Sequence, residues 1–325
     1  MFKRKAVCLL VLALAFLLLP SLAFATGAED DDFDDDSQDD FAVFRPAEGN
    51  WYIDSSQENE TLVYQLGLPG DIPVHGLYDA RSQVDLAVYR PIGGFWFYQT
   101  ILEDLSLGSL DTVQWGGFPG DIPIPCDFNG DGRMDITVYR GGTWFSLLSR
   151  SYDPSDPDDV QIVPWGNPTD RPVPFDVDSD GTCDYVVYRD GAWFVNLSSK
   201  DFADGGVINH GAAGDFPIVG RYDGDNITDF AVYRESPGFG IPSVWIIQES
   251  RTRGLTSVVI PWGQAGDFPM TKDVDDDGQT DIIVWRPSDG NWYTLLSSDD
   301  YAGVDVTQFG LSGDIPLGDR AGVDP

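Results

Sequence analysis

A chain of 325 residues with 54 Asp plus Glu against 19 Lys plus Arg, a formal charge of -35, is a poor partner for nucleic acid, whose phosphates it would repel. Its two histidines, His75 and His210, leave almost no material for a Ser-His-Asp triad or a histidine-rich zinc site, so any catalysis would rest on carboxylates. A charge of this size opposes compaction unless cations neutralise it.

Lys3, Arg4 and Lys5 precede an apolar run from Ala6 to Leu19 and the small-residue pattern Ala23-Phe24-Ala25. This predicts a signal peptide over residues 1–25 and an exported protein that is secreted, held at a cell surface or periplasmic. No later segment approaches the roughly twenty continuous apolar residues of a membrane span, so membrane insertion is not expected. Export leaves only Cys126 and Cys183. One bridge between them is open, and two buried thiols are the expectation. Residues 26–40 form an acidic segment with a first candidate metal loop, and residues 41–325 form a single domain.

That domain is a repeat. A Gly-Asp-(Ile/Phe)-Pro phrase, once altered to Thr-Asp-Arg-Pro, recurs at Asp71, Asp121, Asp170, Asp215, Asp267 and Asp314, at intervals of 45 to 52 residues. Nineteen residues after each of the first five stands an aromatic-Arg pair, at Arg90, Arg140, Arg189, Arg234 and Arg286, and Phe44-Arg45 supplies a sixth. A Trp follows each pair (Trp51, Trp96, Trp144, Trp193, Trp245, Trp292), and a bulky residue plus Gly closes each unit. Within a unit, DIPIPCDF, DITVYR, TWFSLLS and VQIVPWG read as four short strands between turn residues, with no helical periodicity. Four-stranded units of this length are the signature of propeller blades. The chain starts on the second strand of a unit and ends on the first strand of one. The expected fold is therefore an all-β, six-bladed propeller of antiparallel blades, the first blade closed by N- and C-terminal strands.

Between the first and second strands lie nine-residue loops with oxygen side chains at positions 1, 3, 5 and 9 and Gly at position 6. DFNGDGRMD offers Asp127, Asn129, Asp131 and Asp135, with the Arg133 carbonyl at position 7. DVDSDGTCD offers Asp176, Asp178, Asp180 and Asp184 with Thr182, and DVDDDGQTD offers Asp273, Asp275, Asp277 and Asp281 with Gln279. Alternating oxygens in a tight loop converge on one centre, and a hard cation that accepts six or more oxygens, Ca²⁺, suits them. Without a metal the clustered carboxylates would repel one another. DFDDDSQDD, with Asp32, Asp34, Asp36, Gln38 and Asp40, is a fourth site conditional on docking of the N-terminus, because Ser37 replaces Gly. RYDGDNITD and LYDARSQVD lack key ligands. Arg221 and Arg81 are expected to pair there with the remaining Asp residues in place of calcium.

These loops, with the repeated VYR and WG phrases, resemble the FG-GAP or VCBS repeat propellers, the family that includes the integrin alpha-chain head, and the resemblance covers the chain from Asp32 onward. It implies calcium loops that protrude on one face and stabilise their hairpins, with ligand binding left to the opposite face or the rim. Many members have seven blades, where six are counted in this chain. No adhesion motif is shared, so ligand residues do not transfer.

The remaining signals weigh toward structure. The Asp of each Gly-Asp phrase and the Arg nineteen residues later fall opposite each other on paired strands and predict a ring of cross-strand ion pairs, with Asp314 and Arg45 closing it. The six Trp residues suit inter-blade core better than sugar-stacking clefts. The Pro- and Gly-rich insertion PGFGIPSVW is a candidate rim pocket. The expectation is a monomeric binding or adhesion module for an extracellular glycan or protein, with no catalytic residues. The alternative is a carboxylate-dependent carbohydrate-active enzyme, a polysaccharide lyase or hydrolase, on the same scaffold.

Overall fold

The computed structural model describes residues 31–57, 60–79, 83–203, 205–238, 240–252 and 256–318. The segment read as a signal peptide, and Arg81, lie outside the described residues. Six four-stranded antiparallel sheets form a six-bladed propeller. Blade 3 shows the plan: Ile122–Pro123 innermost, then Ile136–Arg140, Thr143–Leu147 and Val160–Pro164. Blade 1 is composite, with C-terminal Ile315–Pro316 beside Phe41–Arg45, followed by Asn50–Asp54 and Thr61–Gln65. Blades 2, 4, 5 and 6 run over residues 72–114, 171–209, 216–261 and 268–308.

The innermost strands come in two lengths. In blades 2, 3 and 4 the strand is two residues long and is continued by isolated bridges at Gly76, Cys126 and Phe175, with Pro125 and Pro174 between strand and bridge in blades 3 and 4. Blades 5 and 6 have Val219 and Thr271 there and keep five-residue first strands, Phe216–Gly220 and Phe268–Lys272.

Second strands are buried on both faces, so they read as apolar runs and not as alternating ones. In Tyr185–Arg189, Val187 packs into the core shared with blade 3, and Tyr188 into the core shared with blade 5. Six such cores lie between blades, and each contains one third-strand Trp, at most 1% exposed. These Trp residues are core, not sugar platforms. Five donate their indole N–H to the carbonyl preceding the closing Gly, as Trp144 does to Trp165 at 2.9 Å. In four blades the closing Gly is needed because the crossover to the next blade passes against a tyrosine: a Cβ at Gly166, φ +119°, would lie 2.5 Å from the Tyr139 hydroxyl.

All six predicted ion pairs form: Arg45–Asp314, Arg90–Asp71, Arg140–Asp121, Arg189–Asp170, Arg234–Asp215 and Arg286–Asp267, at 2.5 to 2.9 Å. The carboxylate is almost wholly buried in each, and its second duty is to cap the crossover turn, as Asp170 does by accepting the Asn167 N–H at 2.7 Å. Most of the guanidiniums also stack on a third-strand ring, for example Arg189 on Phe194 at 4.4 Å. Deleting one partner strands a buried charge. Arg189→Ala should therefore lose about 3 kcal/mol in urea unfolding, and Arg189→Ala/Asp170→Asn markedly less; equal losses in both would show that the pair is not coupled.

Cys126 and Cys183 are disulfide-bonded, with Cα atoms 6.1 Å apart, which corrects the expectation of two free thiols. Cys126 forms the isolated bridge just before the loop of blade 3, and Cys183 sits at position 8 of the loop in blade 4. Their separation of 57 positions hides a contact that only blade-to-blade packing creates.

Candidate metal centre

Each of the three well-formed loops reverses twice through left-handed backbone, at positions 4 and 6. These are Gly130 and Gly132 (φ 72° and 83°), Ser179 and Gly181 (60° and 85°), and Asp276 and Gly278 (54° and 82°). The seam loop follows the same path with Asp35 and Ser37 (63° and 75°), so Ser37 occupies the conformation for which glycine is preferred. The reversals fold main-chain N–H groups onto the position-1 carboxylate: Gly130 and Gly132 donate to Asp127 at 2.7 Å each, Gly181 to Asp176 at 2.8 Å, Gly278 to Asp273 at 2.8 Å and Ser37 to Asp32 at 2.7 Å. The position-9 carboxylate accepts the position-2 N–H, as Asp184 does from Val177 at 2.9 Å.

Three groups of carboxylates converge with one oxygen each within 4.8 Å: Asp32, Asp34 and Asp36; Asp176, Asp178 and Asp184; Asp273, Asp275 and Asp281. These groups can hold a metal ion. Asp34 Oδ1 and Asp275 Oδ1, both at position 3, are buried with no hydrogen-bond partner, which is the arrangement a cation would complete. At position 5, Asp180 and Asp277 turn instead to the hydroxyls of Ser198 and Ser297. The position-7 residues Gln38, Arg133, Thr182 and Gln279 all donate their N–H to the position-5 carboxylate, at 2.8 to 3.1 Å.

The loop of blade 3 differs from the other two well-formed ones. Asn129 donates its amide to Asp135 and to Ser149, both at 2.8 Å, and Arg133 pairs with Asp131 at 3.0 Å. Asp131 therefore has an internal cationic partner, and with Asn129 at position 3 this loop has one carboxylate fewer than the loops of blades 4 and 6. In blade 5, Asp223 and Asp225 accept from the Arg251 N–H and the Ser250 hydroxyl, each at 3.0 Å. Among the described residues no ion pair joins Arg221 to them, and its Nε is buried without a partner. The expected substitution of arginine for metal is not seen there. The Arg221 backbone is instead held by Thr280 of blade 6, through bonds of 2.8 and 2.9 Å.

Burial, aided by neighbouring carboxylates, raises every position-9 Asp: Asp40, Asp135 and Asp281 to about 7, and Asp85, Asp184 and Asp229 to about 6. Burial also raises the position-1 carboxyls Asp127, Asp176 and Asp273. An uncompensated loop therefore retains protons near neutral pH, and a cation would displace them.

Two features escaped the sequence reading. The first is a serine five residues after the Trp in five blades: Ser56, Ser149, Ser198, Ser250 and Ser297. Each donates its N–H to the position-9 Asp, at 2.6 to 3.0 Å, and its hydroxyl to the position-5 Asp. The second is a buried charge cluster at the seam, where Asp31 meets Lys272 at 2.5 Å and His75 at 2.7 Å. Asp31 takes the place just before loop position 1 that Lys272 holds in blade 6. Burial opposes its ionisation, but Lys272 and His75 outweigh that and hold it below the usual range. The insertion before Trp245 is closed by Ser236 and Ser243, with Ser236 donating to the Ile241 carbonyl at 2.6 Å.

No protein-family model and no curated protein matches the chain. Among solved structures, an Agrocybe aegerita lectin described as recognising non-reducing terminal N-acetylglucosamine is 14% identical, with a TM-score of 0.55 over 82% of this chain and 75% of the lectin. A Lactobacillus plantarum protein is 13% identical, with a TM-score of 0.43 over 85% of this chain and 87% of its own. A putative 6-phosphogluconolactonase from Bacteroides fragilis is 11% identical, with a TM-score of 0.39 over 88% and 97%. The likeness to the lectin is one of fold: this chain is a six-bladed β-propeller of antiparallel blades whose acidic inter-strand loops can hold metal ions.

Proposed function

We propose that the chain is an exported, calcium-stabilised propeller of the FG-GAP/VCBS kind that binds an extracellular glycan or protein through the face opposite its calcium loops. The observation that carries this reading is the difference between the two faces. The acidic loops lie at one end of the blades. At the other end, the crossovers and second-to-third-strand turns carry Asp residues already neutralised by arginine, together with exposed Leu68, Ile92, Phe118, Ile241, Phe268 and Leu311. Aromatic side chains presented on a rigid, charge-paired surface suit a sugar ring or an apolar protein patch. The glycan ligand of the structurally similar lectin favours the sugar, and the disulfide favours export.

Among loop-derived residues, oxygen-rich groups that ligate a hard cation favour calcium over softer-ligand metals. The resident ion would fix the hairpin tips and hold the position-9 carboxylates ionised. A glycan array probed with the calcium-loaded chain should give a restricted set of hits that weaken at least about tenfold with Phe118→Ala. A second reading, carbohydrate cleavage, has one observation behind it: a cleft of about 380 Å³ lined by Asp34, Asp35, Glu103 and Asp104. Depolymerisation of a polysaccharide, abolished by Glu103→Gln, would replace the binding reading with that one.

A further inference from the structure

We infer that the Cys126–Cys183 disulfide braces the cation loop of blade 4 against blade 3, so that cation binding and reduction of the bridge oppose each other. The inference rests on the calcium reading. Cys126 immediately precedes Asp127, position 1 of one loop, and Cys183 immediately precedes Asp184, position 9 of the next. Between them the Cys183 N–H donates to the Asp127 carbonyl at 2.7 Å. The same junction recurs without sulfur elsewhere in the ring: Met134 N–H to Leu77 O at 2.6 Å, Thr280 to Arg221 at 2.9 Å and Asp39 to Asp273 at 3.1 Å. One junction thus carries a covalent link where three others rely on a hydrogen bond.

The link acts on the ligands themselves. Asp176, Asp178 and Asp184 converge within 4.8 Å, and with no cation between them their repulsion favours movement of Asp184 away from Asp176. The bridge ties the residue next to Asp184 to the residue next to Asp127 in blade 3, and both cysteines are buried, 5% and 3% exposed. Holding the carboxylates together raises the free energy of the empty loop more than that of the filled one, which strengthens binding. Linkage then requires the filled loop to protect the disulfide by the same factor. In the redox step a dithiol supplies two electrons and two protons; the S–S bond breaks to two thiols, and the dithiol closes to its own disulfide.

The test titrates calcium by calorimetry into the full oxidised chain, the chain reduced with dithiothreitol, and Cys126→Ser/Cys183→Ser. At least one site should bind about tenfold more weakly without the bridge. At a fixed ratio of reduced to oxidised dithiothreitol, intact mass should show the reduced-to-oxidised ratio of the protein falling by the same factor in saturating calcium. Equal affinities with and without the bridge overturn the coupling alone, whereas no binding to the oxidised chain overturns the calcium reading beneath it. If the bridge-free chain unfolds, refolding upon calcium addition supports the coupling, and failure to refold in calcium overturns it by reducing the disulfide to a general structural staple.

Discussion

Chelation should lower the thermal midpoint by at least about 10 °C relative to 10 mM calcium. A loop with the affinity of extracellular calcium modules, about 0.1 mM, gains about 2.7 kcal/mol at a hundredfold excess of ion. The three convergent groups would together contribute about 8 kcal/mol, and in a domain of this size each kcal/mol moves the midpoint by roughly 2 °C. The loops should not contribute equally. Asp275→Asn and Asp178→Asn each remove a member of a convergent group and should take away about a third of the calcium-dependent shift. Asp127→Asn should remove less of it, because Arg133 and Asn129 already serve that loop, and Asp225→Asn should leave it unchanged. A midpoint that ignores chelator, measured by differential scanning calorimetry, would remove calcium from the account. An equal response of all loops would remove the ranking.

That ranking shows what the sequence discloses and what it withholds. The ring of ion pairs was legible because a fixed nineteen-residue offset across a hairpin of constant length determines a register, and all six pairs formed with Asp314 and Arg45 closing the circle. The blade count followed from the same arithmetic. Spacing could not reveal which oxygens converge. Asp131 and Asp180 occupy the same loop position and accept the equivalent serine hydroxyl, but only Asp131 is also drawn to an arginine, Arg133. The serine is itself periodic, always five residues after the Trp, and a search for repeats that included small polar residues would have found it. The disulfide and the contacts among Asp31, Lys272 and His75 join neighbouring blades at positions with no fixed sequence relation, so no period announces them. Asp31 in particular is meaningful only once the N-terminal segment is seen to continue an inner strand that the C-terminus begins.

The position-9 carboxylates should make the response to pH change sign with calcium. In the metal-free protein, Asp40, Asp135 and Asp281 titrate near 7, and Asp85, Asp184 and Asp229 near 6, whereas an unfolded Asp titrates near 3.9. Between those values the folded state holds more protons than the unfolded one, so its stability falls as pH rises. Each group contributes at most about 1.4 kcal/mol per pH unit, less where solvent reaches it. His210 opposes the trend: burial lowers its pKa, so its contribution is lost as pH falls, but it is one group against six. Lowering the pH of chelated protein from 8 to 5.5 should therefore raise its midpoint. With saturating calcium, the ion must displace those protons in order to bind, so the calcium-dependent part of the stability should grow with pH and fade as pH falls through about 7 to 6. Calorimetry in buffers of different ionisation enthalpy should detect the released protons directly at pH 6.5. If chelated and loaded protein instead gain stability together on acidification, the cation does not sit on these carboxylates, and the loops are hydrogen-bonded turns whose acids serve only the fold.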